Sequence, residues 1–240
     1  RRNGSTWSNE AYLKAPNAEG TEQFGSSVSV SGDTIIVGST IEASNQTTIT
    51  NGTLSSSNNL ANSSGAVYVF KRTGSTWANE AFIKAPNADV NDGFGVSVSI
   101  DGDTIVVGSN GEDSNQTTIT NGTLTQASDS GVIDMGAAYV FKRTGNTWSN
   151  EAYLKAPNAE TGDFFGYSVS ISGDTIVVGA INEDSIQTTI TNGTTNAANG
   201  SGNSGAAYVF KRSGNTWTNE AYLKAPNSEA NDGFGVSVSI

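Results

Sequence analysis

The chain repeats itself with a period of about 70 residues, and this internal repeat constrains the fold more than any other feature of the sequence. Four tryptophans follow one another at intervals of 70, 71 and 69 residues, and four phenylalanines keep the same intervals. These residues are Trp7, Trp77, Trp148 and Trp217, with Phe24, Phe94, Phe165 and Phe234. A fold that uses one structural unit several times is therefore expected.

Each unit contains four runs with the pattern of β-strands. In the second unit FGVSVSI alternates apolar residues with serine, TIVVGS and GAAYVFK are largely apolar, and TWSNEAYLKAP mixes aromatic and charged residues. Gly102-Asp103 and the sequence TGNT fall where tight turns would join successive strands. Four antiparallel strands make one blade of a β-propeller, so we predict an all-β fold of four-stranded antiparallel blades with a long insert between strands two and three.

A β-solenoid is the competing architecture for a repeat of this length. The side chains grow in size along the unit, from serine and valine in the first strand to Trp77, Phe82 and Ile83 in the fourth. Blades converge on an axis, so their inner strands need small residues and their outer strands need large ones, whereas the coils of a solenoid have no such gradient. The gradient favours propeller-type blades.

The units divide the chain into three full repeats with a partial repeat at each end. The boundaries are 1–23 for a partial repeat with strand four and a connection, 24–93, 94–164 and 165–233 for the full repeats, and 234–240 for a partial repeat with strand one. A closed propeller needs roughly four to eight blades. We expect either a segment of a larger propeller or array, or copies that associate through the incomplete blades.

Several of these motifs resemble those of a known family. Phe94-Gly95 at the start of strand one, the hairpin GDTIVVGS and the strand GAAYVF resemble the FG-GAP repeats of the integrin α-chain propeller and of bacterial and archaeal surface proteins. The proline of the family's Gly-Ala-Pro is missing each time, which makes the chain more similar to the bacterial style of repeat. The corresponding residues are Gly38-Ser39-Thr40, Gly108-Ser109-Asn110 and Gly179-Ala180-Ile181. The resemblance implies an extracellular propeller, usually of seven blades, that serves adhesion or ligand binding.

The composition excludes several functional classes. The formal charge is −11, and binding to nucleic acid or to an anionic membrane needs clustered Lys and Arg, so we expect no nucleic-acid partner. The chain contains no histidine and no cysteine, which excludes Ser-His-Asp triads, Cys-His pairs, and zinc sites that use these ligands. Because no apolar run reaches 18 residues, no transmembrane segment is predicted in this chain.

The insert between strands two and three contains the octapeptide QTTITNGT in every repeat, at 46–53, 116–123 and 187–194. Asn-Gly flanked by β-branched residues is a strong hairpin signal, so we predict a small extra hairpin in each insert with an asparagine at its tip. The inserts also hold acceptor sequences for N-glycosylation, which loops rich in Asn, Ser and Thr also generate by chance. The candidate glycosylation sites are Asn51, Asn121, Asn192, Asn45, Asn115, Asn62 and Asn199.

Strand direction alternates within a blade, so the inserts and the connections from strand four to the next strand one are predicted to emerge on one face. We expect that face to be uniformly acidic, with 15 of the 23 acidic residues and without Lys or Arg. A role in solubility is the alternative to recruitment of cations or of a basic partner. The acids assigned to this face are Glu19, Glu22, Glu42, Asp89, Asp92, Glu112, Asp113, Asp129, Asp134, Glu160, Asp163, Glu183, Asp184, Glu229 and Asp232.

Calcium is the cofactor that these acids suggest, because hard cations prefer several oxygen ligands close together. The candidate metal ligands are Glu112, Asp113, Glu183, Asp184, Asp89 and Asp92. Their spacing is not that of an EF-hand loop, and the calcium loop of the integrin family is missing between strands one and two. The alternative is that Asp92, Asp163 and Asp232 cap turns through hydrogen bonds from side chain to backbone.

No catalytic residue is assigned. The doublet Glu112-Asp113 recurs in the next repeat, whereas the paired carboxylates of a glycosidase occur once. The tryptophans are assigned to packing at the outer strand, with stacking on sugars as the alternative. We therefore predict a non-enzymatic scaffold, extracellular or at the cell surface, for adhesion or display toward a protein or glycan ligand or copies of itself. The alternatives are a structural subunit of a cell-surface fibre and an accessory propeller of a polysaccharide-acting enzyme.

Overall fold

The structure is a computed structural model that describes residues 2–18, 20–52, 58–124, 133–195, 200 and 202–240. Within these residues every regular element is a β-strand, and a short hairpin of β1 (Arg2–Asn3) and β2 (Thr6–Trp7) precedes three five-stranded sheets. The first sheet contains β3 (Phe24–Ser31), β4 (Thr34–Ser39), β5 (Thr50–Asn51), β6 (Ala66–Thr73) and β7 (Thr76–Ile83). The second contains β8 (Ser97–Asp101), β9 (Thr104–Ser109), β10 (Thr120–Asn121), β11 (Ala137–Thr144) and β12 (Thr147–Leu154). The third contains β13 (Phe165–Ser172), β14 (Thr175–Ala180), β15 (Thr191–Asn192), β16 (Ala206–Ser213) and β17 (Thr216–Leu223).

Each sheet is an antiparallel meander of its four long strands, which lie in chain order. The turn between the first two strands holds two residues, and its glycine has a positive φ, +55° at Gly102, which glycine adopts without steric cost. The turn between the last two long strands has the same form, with Gly145 at +63°. Both tight turns predicted from the sequence are confirmed.

The insert contributes a fifth strand instead of the predicted hairpin. Thr50 of β5 pairs with Phe82 and Asn51 pairs with Ala81, so the two residues add to the outer edge of β7. The other two sheets repeat this pairing with β10 and β15. The prediction that the Asn-Gly segment forms a hairpin of its own was wrong. The edge of the fourth long strand offers unpaired backbone groups, and two residues of the insert bond to them instead.

The three sheets pack face to face, and the hydrophobic core lies between them. Tyr139 and Phe141 of β11 turn toward the first sheet, whereas Ala138 and Val140 of the same strand turn toward the third. Phe94 lies edge-on to Tyr139, with ring centroids 5.3 Å apart. Every interface therefore matches an aromatic face with a face of small and aliphatic residues, which explains why strand three is apolar on both sides.

Neighbouring repeats approach most closely at glycines of the recurring motifs. A Cβ on Gly108 would lie 1.9 Å from the carbonyl oxygen of Gly166, and that oxygen also accepts a hydrogen bond of 2.8 Å from the Ser97 hydroxyl. The inner strand β8 of the second sheet contacts both β3 and β13, the inner strands of its neighbours. The small residues of strand one thus lie where successive sheets come together.

The inserts and the connections between sheets emerge on one side, as predicted. Carbonyl oxygens near the end of the first insert, at Asn62, Ser63 and Ser64, accept hydrogen bonds from the backbone N–H groups of Asn91, Gly93 and Phe94 in the following connection. A short parallel bridge between Gly65 and Phe94 continues this contact. The predicted common face for both kinds of crossover is therefore confirmed.

Candidate functional site: the contacts between repeats

The asparagine of the octapeptide bonds to the outer strand of the next sheet. Nδ2 of Asn51 donates to the Trp148 carbonyl oxygen at 3.2 Å, and the Trp148 N–H donates to Oδ1 of Asn51 at 2.8 Å. Asn121 makes the same pair of bonds with Trp217, at 3.1 and 2.8 Å. One side-chain amide thus takes the place of a neighbouring strand and joins two repeats.

The other residues of the octapeptide shape and seat this contact. Nε2 of Gln46 donates to the Thr48 carbonyl oxygen and to the Thr50 hydroxyl, both at 2.8 Å, which closes the segment ahead of β5. Ile49 packs against the hydrophobic core between the first and second sheets. Asn51 then reaches Trp148. Gln46, Ile49 and Asn51 of the motif therefore each have a structural role, which explains why these three residues recur. We call the pair of hydrogen bonds between Asn51 and Trp148, and its equivalent between Asn121 and Trp217, the asparagine clamp.

A charged cluster supports the same interface from the second sheet. Glu80 of β7 accepts hydrogen bonds from Nη1 of Arg143 at 3.0 Å and from Nε1 of Trp148 at 3.2 Å. The Arg143 guanidinium lies 5.0 Å from the centre of the Trp148 ring and also pairs with Asp103 in the tight turn of its own sheet. Cation–π and charge-assisted hydrogen bonds of this kind stabilise partly buried contacts.

The interface between the second and third sheets contains the same cluster, formed by Glu151, Arg212, Trp217 and Asp174. Trp148 and Trp217 are each 1% exposed, whereas Trp7 is 75% exposed. The rings of Trp148 and Trp217 are covered by protein, so stacking on sugars is excluded for these two residues, and their predicted packing at the outer strand is confirmed.

A buried polar network crosses the same interface closer to the inserts. Nζ of Lys155 donates to Oε2 of Glu112 at 2.8 Å, and Nδ2 of Asn87, from the preceding connection, donates to Oε1 of Glu112 at 2.8 Å. The Tyr139 hydroxyl donates to Oδ1 of Asn87 at 2.8 Å. Equivalent ion pairs join Lys84 to Glu42 and Lys224 to Glu183, and all six side chains are buried.

Burial changes the acidity of these groups. Loss of solvent lowers the pKa of the Lys155 ammonium, and the attraction of Glu112 opposes this effect without cancelling it. Burial together with the nearby charge of Glu112 raises the pKa of Tyr139 well above its ordinary value, so the phenol keeps its proton. The network therefore contains a lysine, Lys155, that loses its proton more readily than usual, and a tyrosine, Tyr139, whose hydroxyl stays protonated and donates a hydrogen bond.

The repeats match the family model described as the FG-GAP repeat over residues 7–70, 77–124 and 148–210, which together make up more than half of the chain. The chain belongs to the FG-GAP repeat family. Each matched segment begins at a tryptophan of an outer strand and extends into the following sheet. No curated protein matches this FG-GAP chain significantly. The described residues contain no helix that is long and apolar enough to cross a membrane.

The face with the inserts is not uniformly acidic, so that prediction was wrong. On this side the fourth long strands are followed directly by Lys84, Lys155 and Lys224, and each lysine forms an ion pair with a glutamate that was assigned to the face. Their recurring Lys-Ala-Pro-Asn sequence lies next to the strand, and its lysine turns inward to the insert. Glu19 and Asp129 lie outside the described residues.

The candidate metal ligands of this FG-GAP chain do not form one cluster. Both oxygens of Glu112 are occupied by Lys155 and Asn87, and Glu183 is bonded in the same way by Lys224 and Asn158. Asp113 accepts a backbone hydrogen bond from Asp134 at 2.8 Å. Within the described residues no group of three or more acidic side chains has the arrangement of a metal site. Calcium binding by Asp89, Asp92, Asp113, Asp184 and the two glutamates stays a prediction, and a rise in melting temperature with calcium that a chelator reverses would support it.

The alternative role of the aspartates before strand one is confirmed. Oδ2 of Asp92, Asp163 and Asp232 accepts the backbone N–H of the residue three positions earlier, at 2.8, 2.8 and 2.7 Å. Burial, aided by the charges of Glu183 and Asp184, raises the pKa of Asp163 to about 7. Each carboxylate closes a turn, and that of Asp163 does so in a largely desolvated position.

The candidate glycosylation sites that the structure describes are all exposed, namely Asn45, Asn51, Asn62, Asn115, Asn121 and Asn192. Asn199 lies outside the described residues. The amide nitrogens of Asn51 and Asn121 are engaged in the asparagine clamp, so a glycan there would share that atom with the contact between repeats. Glycosylation stays a prediction.

Sequence reasoning missed three sets of residues at the interface: the asparagine clamp, the Glu80 and Glu151 clusters, and the buried lysines. The strongest unused signal was the sequence Lys-Ala-Pro-Asn, which occurs after the fourth strand in every repeat, at 14–17, 84–87, 155–158 and 224–227. Its Lys binds the glutamate of its own repeat and its Asn binds the glutamate of the next. A polar tetrapeptide kept unchanged next to a strand indicates a structural contact.

Proposed function

We propose that the chain is a non-enzymatic extracellular scaffold whose sheets are blades of a β-propeller and whose outer edges display a recurring ligand-binding segment. Membership of the FG-GAP family supports propeller blades and an extracellular location. The contacts of β8 with the inner strands on both sides support a common centre. The partner is a protein or glycan surface that offers several copies of its own binding group.

One observation carries this proposal: the same exposed threonine pair precedes the octapeptide's asparagine in every repeat. The pairs are Thr47-Thr48, Thr117-Thr118 and Thr188-Thr189. In the first two repeats the clamp fixes the pair against two sheets, so identical segments are held at regular spacing. Weak identical contacts at regular spacing add through multivalency, which suits adhesion to a repetitive surface.

The test uses the purified chain on beads and measures binding to surfaces coated with glycans or with matrix proteins. Replacement of all six threonines by alanine is expected to reduce binding, while the clamp and the backbone bond from Gln46 remain. The matched control replaces Thr76, Thr147 and Thr216, which are exposed at the starts of the fourth long strands, next to the tight turns at the opposite end of the sheets. Equal binding of both variants would contradict display by the threonine pairs, and release of sugar from a polysaccharide by the chain would contradict the non-enzymatic assignment.

A second candidate is assembly into an array, and the third repeat supplies the observation that favours it. Ile190 is 62% exposed, and the side-chain amide of Asn192 has no hydrogen-bond partner among the described residues, although the equivalent residues of the earlier repeats hold the following sheet. This edge fits a further repeat of the same kind, in the same chain or in another copy. Sedimentation velocity tests association between copies: a concentration-dependent increase that Asn192→Ala abolishes would support it.

A further inference from the structure

The network around Glu112 brings an amine and a carboxamide onto one buried carboxylate. Lys155 Nζ lies 2.8 Å from Oε2, and Asn87 Nδ2 lies 2.8 Å from Oε1. Lys155 and Glu112 are fully buried, and Asn87 is 7% exposed. The two groups therefore bond to the two oxygens of one carboxylate, in a site from which water is largely excluded.

We propose that Lys155 and Asn87 form an intramolecular isopeptide bond, which links the first connection covalently to the second sheet. Glu112 accepts a proton from the ammonium group, and the neutral Nζ attacks Cγ of Asn87. Glu112 returns this proton to Nδ2, the Cγ–Nδ2 bond breaks, and the amide nitrogen leaves as ammonia. Nζ then loses one more proton, which departs with the ammonia as ammonium. The products are a secondary amide between Nζ and Cγ and one ammonium ion, and the reaction needs no oxidant or cofactor.

The surrounding side chains supply what each step needs. The Tyr139 hydroxyl donates to Oδ1 of Asn87 at 2.8 Å, so it stabilises the negative charge that develops on this oxygen during the attack. Glu112 lies within hydrogen-bond distance of both nitrogens and transfers protons between them. Burial lowers the pKa of Lys155, which increases the fraction of neutral amine. Fixed proximity of the two reactants replaces a collision in solution.

Comparison of the repeats assigns the reaction to the second one. Lys84 and Lys224 also donate to the hydroxyls of Ser64 and Ser204, at 2.7 and 2.6 Å, and these bonds hold the ammonium form. Met135 occupies the corresponding position in the second repeat, so Glu112 is the one hydrogen-bond acceptor of Lys155 among the described residues. In the first repeat Asn17 lies 3.5 Å from Glu42, which is a looser arrangement.

The experiment is mass spectrometry of the purified, denatured full chain, followed by tryptic digestion. We expect an intact mass lower than that of the sequence by one ammonia molecule, and a peptide in which the segments around Asn87 and Lys155 stay joined without cleavage after Lys155. An intact mass equal to that of the sequence would overturn the proposal. So would a loss of ammonia that maps to an Asn-Gly pair, because such pairs also lose ammonia by reaction with their own backbone.

Two variants separate the reaction from a structural role. Glu112→Gln retains the shape and can accept one of the two hydrogen bonds, but it accepts no proton, so the full mass is expected to return while near-ultraviolet circular dichroism shows the folded state. Glu183→Gln in the third repeat is the matched control, and it should leave the loss of ammonia unchanged. A cross-link that persists in Glu112→Gln would contradict the assigned role of this carboxylate, and Lys155→Arg would confirm the nucleophile by restoring the full mass.

Discussion

The side-chain amide of Asn51 forms two hydrogen bonds with the backbone of Trp148, which lies 97 positions further along the chain. The contact joins the outer edge of one sheet to the outer edge of the next, far from the inner strands where the sheets also meet. Because Asn121 and Trp217 repeat the arrangement, the contact belongs to the repeat and not to one position. The stability of the chain should therefore depend on this polar contact as well as on the hydrophobic core.

Asn121→Ala should destabilise the fold, whereas Asn192→Ala should not. The first substitution removes both hydrogen bonds to Trp217 and should cost about 1–2 kcal/mol. Asn192 occupies the same place in the third repeat, but its side-chain amide has no partner among the described residues, so its replacement should change stability by less than about 0.5 kcal/mol. Urea unfolding followed by tryptophan fluorescence measures both variants, and equal midpoints would show that the clamp contributes little.

Glu151→Gln should destabilise the fold more than Glu220→Gln, which changes the equivalent residue of the next sheet. The Glu151 carboxylate is buried and accepts bonds from Arg212 and Trp217, both at 3.2 Å, so loss of its charge leaves a guanidinium partly uncompensated. The expected cost is about 1–3 kcal/mol. Glu220 is exposed and forms no ion pair in the described part of the chain, which makes it the control. Unchanged unfolding and an unchanged Trp217 environment in Glu151→Gln would contradict the role of this cluster.

Gly108→Ala should disrupt the contact between the second and third sheets. The added methyl group would lie 1.9 Å from the Gly166 carbonyl oxygen, which belongs to the backbone and cannot turn away as a side chain can, so the sheets must move apart. The expected loss of stability is more than about 2 kcal/mol. Gly20→Ala is the control, because a Cβ there meets no described atom within 4 Å. A melting temperature of Gly108→Ala that equals that of Gly20→Ala would show that the sheets are not in this close contact.

Asp163→Asn should remove part of the pH dependence of folding. The pKa of Asp163 is raised from an ordinary value of 3.8 to about 7, mainly by burial, with Glu183, Asp184 and Glu160 nearby. Between these two values the folded chain retains a proton that the unfolded chain has released, so stability contributed by this group falls as pH rises from about 4 to about 7. The variant should gain stability relative to the natural chain over this window, by at most about 4 kcal/mol.

Urea midpoints at pH 4, 6 and 8 test this prediction. Asp232→Asn is the control, since Asp232 closes the same turn in an exposed position. If Asp163→Asn and the natural chain show the same slope of stability against pH, the carboxylate is not desolvated as the structure indicates.

Much of the fold could be predicted from the sequence because it depends on local patterns that recur. The spacing of the tryptophans gave the repeat, alternation in FGVSVSI gave an inner strand, and Gly102-Asp103 gave a tight turn that the structure confirms. The common side of the two crossovers followed from the alternation of strand direction alone. These features need no knowledge of how one sheet lies against the next.

The contacts between repeats could not be predicted, because they depend on the lateral offset of neighbouring sheets. Asn51 carries a hairpin signal in sequence, but the free edge of β7 was a better partner than a second strand of the insert. Lys155 follows a strand of mixed polarity, and the sequence does not show that its ammonium turns inward to Glu112. The prediction of an acidic face counted the acidic residues of the loops and left out the lysines that follow the strands, which form ion pairs with three of these acids.

The central claim is that the asparagine of the octapeptide holds the next repeat. Hydrogen exchange at the backbone amides of Trp148 and Trp217 tests this claim most directly. In the natural chain both amides should exchange slowly although they lie on the outer strands, because each donates a hydrogen bond to Oδ1 of Asn51 or Asn121. In Asn121→Ala the Trp217 amide should exchange about tenfold faster or more, while the Trp148 amide keeps its rate. Fast exchange at both amides in the natural chain, or unchanged exchange at Trp217 in the variant, would contradict the account.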